Sequence, residues 1–169
     1  MSEPQPEVWM RGPLPAYPAL LQPVAHSLLQ SLEEVQRHAA PLTPEQLWTR
    51  PCGAASAGFH VRHASGSIDR LFTYARGEQL SAAQLSLLKV EGEPDLLDGA
   101  AVRLVLHFAT AVERALDQVR NTPEASLLEP RGVGRAQLPS TVLGLLFHAA
   151  EHTQRHIGQM VTTTRIVTW

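Results

Sequence analysis

Four stretches of this chain carry apolar residues at three- and four-residue steps, and that period restricts each of them to an amphipathic helix. The clearest lies in residues 96–120, where Leu97, Ala101, Leu104, Phe108, Val112, Ala115 and Val119 form one stripe. An earlier stripe, Leu21, Ala25, Leu28, Leu32, Val35 and Ala39, begins near Tyr17 and is stopped by Pro41. A helix from about Gly58 to Arg76 places Phe59, His63, Leu71 and Tyr74 near one face, with Gly77 as its stop. The last starts near Pro139 and runs to about Arg165. With no run of alternating strands, four such helices give an all-α fold, a four-helix bundle.

Shorter signals fill the connections. Thr43-Pro44-Glu45-Gln46 and Ser81-Ala82-Ala83-Gln84 each read as a capping box, so short extra helices are expected before Pro51 and around 82–88. The EGEP segment, 91–94, breaks the chain. Between 121 and 138, LLEP and RAQL flank Gly132-Val133-Gly134, which reads as the turn of a small hairpin and is too short for a nucleotide loop. Residues 1–15 hold Pro4, Pro6, Pro13 and Pro15 without any period and read as an irregular arm, leaving 16–169 as one domain.

Charge excludes one class of partner. Lys+Arg 14 against Asp+Glu 16, with no basic run, gives no electrostatic footprint for nucleic acid. No stretch has the ~18 apolar residues of a membrane span, and the first residues lack a signal-peptide pattern. The lone Cys52 permits no intrachain disulfide. A cytoplasmic protein acting on a small molecule is the expectation.

Histidine placement is the chemical signal. In HAAEHTQRHIGQ, 148–159, the seam Leu138, Val142, Leu145, Ala149 continues into His152, His156 and Met160, with His148 beside it. Histidines one helical turn apart have Cβ atoms about 5–6 Å apart. Buried rings need partners. Either they are core histidines hydrogen-bonded to their surroundings, or they bind a metal with help from His60 or His63 in FHVRHASGS. Five of the eight histidines fall in these two segments, which favours the metal. Three imidazoles suit Zn²⁺, Ni²⁺, Fe²⁺ or Cu²⁺ and leave coordination positions open. Thr153 stands where a zincin-type helix carries its glutamate, which argues against protease chemistry.

GFHVRHASGSIDRLFTYARG and LPSTVLGLLFHAAEHTQRHIGQM resemble the DinB-like (DinB/YfiT) superfamily, the HxxxHxGQ ending being the most specific part. The resemblance covers the chain from the first helix onward and leaves out the first fifteen residues. It implies a bundle of up-down-down-up order and a divalent metal, Zn or Ni before Fe, held by one histidine of the second helix and two of the fourth. Matched by position, these are His63, His152 and His156; His60 and His148 are extra and read as lining the pocket. The resemblance further implies homodimers and thiol-dependent chemistry, by a transferase that attaches a low-molecular-weight thiol to an electrophile or an isomerase using mycothiol; a metal-bound hydroxide would instead make a metal-dependent hydrolase. Many members have no established activity, so a non-catalytic metal-binding stress-response module and a structural helical protein stay open.

Among other residues, Glu151 is a candidate general base that lies off the seam, and Gln159 a candidate partner for a ligand ring. Arg62, Arg70 and Arg155 are candidates for binding a carboxylate, against a default of surface ion pairs. Tyr74 reads as core and Cys52 as incidental.

Overall fold

The computed structural model describes residues 5–169, so the first four residues of the expected arm, Pro4 among them, lie outside the described residues. The rest of the arm is more ordered than its composition suggests. Val8–Arg11 form a 3-10 turn whose Val8 is buried. The Val8 amide donates to Gln30 Oε1 at 3.0 Å, and Arg11 pairs with Glu33 through two bonds of 2.6 and 2.8 Å.

Six α-helices follow: α1 Gln22–His38, α2 Pro44–Trp48, α3 Ala57–Ala75, α4 Ala82–Lys89, α5 Ala100–Asn121 and α6 Val142–Val167. A hairpin, β1 Pro130–Val133 with β2 Leu138–Thr141, precedes α6. The molecule is therefore mostly helical, with this one antiparallel pair among the described residues. Local chemistry sets the helix starts. Both capping boxes form as read, Thr43 with Gln46 and Ser81 with Gln84. Ser56 Oγ accepts from the Phe59 amide to start α3, and Thr141 Oγ1 from the Gly144 amide to start α6. Gly77, at φ +80°, ends α3 as expected.

Three boundaries differ from the periodic reading. A 3-10 turn at Ala19–Leu21 replaces the first turn expected of α1. α5 begins only after Gly99, whose φ of +76° interrupts the chain, so Leu97 falls outside the helix and is 72% exposed. Residues 138 and 139, expected to open α6, belong to β2, where Leu138 pairs with Val133 and Pro139 with Gly132. The hairpin turn accordingly lies at 134–137, with positive φ at Gly134 and Gln137, and not at 132–134.

The four long helices pack in a ring. α3 lies against α6 over the most extensive contact, and against α5; α1 lies against α6 and α5. Leu28, Val35, Val61, Phe108, Val112 and Ile157 fill the centre with no exposed surface. Gln154 of α6 reaches across to α1, its Nε2 donating to the Ser27 carbonyl at 2.7 Å and to Ser31 Oγ at 2.9 Å. At the end of α3, Arg131 of β1 donates to the Ala75 carbonyl at 2.8 Å, tying the hairpin down. Among the described residues no helix is long and apolar enough to cross a membrane.

Candidate metal centre

The α3–α6 contact brings the expected histidines together. His63, His152 and His156 each offer a ring nitrogen, and these nitrogens all lie within 4.8 Å of one another. His63 Nε2 and His152 Nε2 are 3.0 Å apart. Zn–N bonds of about 2.0–2.1 Å in a tetrahedron put nitrogens about 3.3–3.4 Å apart, so the donor spacing and type fit a small divalent ion. The fourth ring, His60, is buried and sets its Nδ1 3.0 Å from His156 Nδ1, leaving Nε2 of His156 for the shared site.

Helical phase explains why the site is reachable. The fully buried line on α6 runs through Leu146, Ala149, Thr153, Ile157 and Met160. His152 and His156 flank that line and stay half-buried. On α3 the deepest positions are likewise Val61, Ala64 and Ile68, with His63 at their edge. On α6 the seam read from sequence holds at Val142, Leu145, Ala149 and Met160 and shifts by one residue at His152 and His156, to Thr153 and Ile157; on α3 the face of Phe59, His63, Leu71 and Tyr74 lies beside the buried line throughout. Histidines at the rim of the core can hold an ion that also meets solvent.

One site residue was missed. Glu91, in the EGEP segment read as a mere break, is 5% exposed and accepts from His63 Nδ1 at 2.7 Å. Its other oxygen receives Arg70 Nη1 at 2.6 Å. Burial pushes the Glu91 carboxyl up, but the hydrogen bonds from His63 and Arg70 outweigh it and hold it below the usual carboxylate range. Nothing local in the sequence marks this residue, because its partners on α3 precede it by 28 and 21 residues.

Burial and then mutual repulsion among the rings lower the pKa of His60, His152 and His156, the last to about 4. These three imidazoles are thus neutral near pH 7, the form that ligates metals.

The remaining candidates divide clearly. His148 is exposed and 3.5 Å from Glu151, and Glu151 pairs with Arg155 at 2.7 Å on the outer face of α6. Arg155 also donates to His152 Nδ1 at 3.3 Å. Gln159 is exposed and, among the described residues, makes no hydrogen bond to a histidine ring. Arg62 does not face the centre: its guanidinium stacks 4.3 Å over Trp48 and donates to the carbonyls of Val90 and Glu93. Tyr74 packs against the core, and Cys52 is exposed. Beside His60 a cleft of about 640 Å³ opens between the 51–55 segment and α6, lined in part by Ala54, Arg155, Gly158, Gln159 and Thr162.

The family model for the DinB superfamily matches residues 27–160. The chain belongs to the DinB superfamily. The match takes in most of the ring of helices, all four clustered histidines and Glu91, and leaves the arm and the start of α1 outside. No curated protein matches this DinB-superfamily chain. The family and the three-histidine cluster together make it a candidate metal-binding protein.

Proposed function

We propose that this protein holds one divalent metal, Zn²⁺ or Ni²⁺ before Fe²⁺, on His63, His152 and His156, and that it is a metal-dependent enzyme of the low-molecular-weight-thiol transferase or hydrolase type. The observation that carries the reading is the convergence of three ring nitrogens at a half-buried, solvent-reachable point of the α3–α6 contact. A bound divalent ion there supplies Lewis acidity, which brings the pKa of a coordinated water or thiol toward neutrality.

The chain's own residues divide the remaining work. His60 holds the Nδ1 edge of His156, and Glu91 holds that of His63. The cleft beside His60 has room for a small molecule, and Arg155 at its edge offers positive charge to an anionic group. In the same reading the helices form the up-down-down-up bundle, residues 16–169 are one domain, and the protein works as a cytoplasmic homodimer.

One observation favours the structural alternative. Arg155 to His152 Nδ1, His152 Nε2 to His63 Nε2 and His63 Nδ1 to Glu91 make a hydrogen-bond chain that is complete with a proton between the two Nε2 atoms. Elemental analysis of untagged protein separates the readings. One equivalent of zinc, nickel or iron, lost in His156→Ala, supports the metal site and justifies assays with thiols, electrophiles and esters. No metal, and no rise in Tm on adding any of the three, leaves the proton-filled chain.

A further inference from the structure

A carboxylate that is 5% exposed, far from the histidine helices in sequence and yet bonded to one of the candidate ligands, requires a reason to be there. Burying a carboxylate costs free energy unless every lone pair is used, and here two partners use them. Four residues of α3 build its seat. His63 donates Nδ1–H to one oxygen at 2.7 Å, and Arg70 donates to the other at 2.6 Å. Gly66 leaves the gap between them: a Cβ at that position would lie 2.7 Å from Arg70 Nη1 and collide with Glu91 Oε1. Arg62 holds the backbone on both sides, through the carbonyls of Val90 and Glu93.

His63, Gly66 and Arg70 follow one another at steps of three and four, so they share one face of α3. A glycine inside a helix lowers its stability relative to alanine, so helix formation gives no reason for Gly66. The seat for Glu91 does.

We propose that Glu91 is the positioning residue of the metal site: by accepting Nδ1–H of His63 it fixes that tautomer and turns Nε2 toward His152 and His156, while Arg70, Gly66 and Arg62 fix Glu91. This rests on the metal reading for its purpose, though not for its geometry. A carboxylate behind a ligand histidine sets ring orientation and raises ligand basicity, and its loss typically costs about 10–100-fold in metal affinity.

The experiment has two arms. In the metal-free wild type, ¹⁵N NMR of the imidazoles is expected to show His63 as the Nδ1–H tautomer, with that preference lost in Glu91→Gln. In calorimetric titration with Zn²⁺, and in the visible spectrum of the Co²⁺ form, Glu91→Gln and Gly66→Ala are expected to bind about 10–100-fold more weakly with an altered spectrum. Glu78→Gln, an exposed carboxylate paired with Arg76, serves as the control and binds as wild type does. Gly66→Ala matters because helix propensity alone predicts a firmer α3 and undiminished binding. An Nε2–H tautomer for His63 in the wild type overturns the proposal, as does unchanged affinity and spectrum in a folded Glu91→Gln. Absence of Zn²⁺ binding by the wild type, with the Nδ1–H tautomer present and dependent on Glu91, instead overturns the metal reading and keeps the positioning role.

Discussion

Two clusters of the same three residue types lie on either side of the histidine centre. His63, Glu91 and Arg70 form one; His148, Glu151 and Arg155 form the other. In the first, the side chains are 21%, 7% and 12% exposed, and the carboxylate meets its partners at 2.7 and 2.6 Å. In the second they are 52%, 39% and 57% exposed, and the histidine stands off at 3.5 Å. Residue type does not separate them; solvent does. Ion pairs in water are screened and are worth about 0–1 kcal/mol, whereas a buried pair loses several when one partner is removed. The inner cluster can hold a ring in place, and the outer one leaves its ring free.

Replacing the histidines breaks this contrast most severely. His63→Ala is expected to remove stoichiometric metal altogether, while His148→Ala keeps one equivalent; elemental analysis reads both. Next come the arginines. Arg70→Met strands a buried carboxylate and should cost about 3 kcal/mol, a fall in Tm of about 6–12 °C on the scale for domains of this size. Arg155→Met should change stability by less than about 1 kcal/mol, checked in the same urea and thermal series.

Acid sharpens the comparison further. His60, His152 and His156 all have depressed folded-state pKa values, that of His156 being about 4 against an ordinary value near 6.5. Between those limits the unfolded chain binds more protons than the folded one. Stability of chelator-treated protein therefore falls as pH drops from about 6.5 toward 4, and His156→Gln should flatten that slope in urea midpoints taken at several pH values. The smallest effect belongs to Glu151→Gln, about 0.5 kcal/mol or less, and it should vanish in high salt.

Those contrasts also mark what the sequence could tell. His63, His152 and His156 were legible because a helix puts regular steps on one face, and the family resemblance chose among five histidines. Glu151 and Arg155, four apart, share a helix face by the same rule. Glu91 was not legible, since its distance of 28 residues from His63 reflects the path of a loop and carries no period. Arg70 reads as a candidate for binding a carboxylate against a default of surface pairing, and only the fold shows that the carboxylate it meets is a buried one of the chain itself. The hairpin is present as expected, and only its turn is displaced. Gly132 attracts a turn assignment, but the positive φ values that the turn needs occur at Gly134 and Gln137, a choice made by pairing across to Pro139 and Leu138. Similarly, Leu97 continues the stripe of α5 on paper, while the left-handed Gly99 starts the helix after it.

One further consequence follows from Gln154, which sits between His152 and His156 and reaches to Ser27 and Ser31 of α1. Each residue of an α-helix advances about 100° around its axis. A small roll of α6 about its long axis would swing both rings away from His63 without disturbing the hydrogen bonds inside the helix. Gln154 acts as an indexing pin against that roll. Helix α1 donates no ligand, yet it sets the angular alignment of the two that α6 supplies.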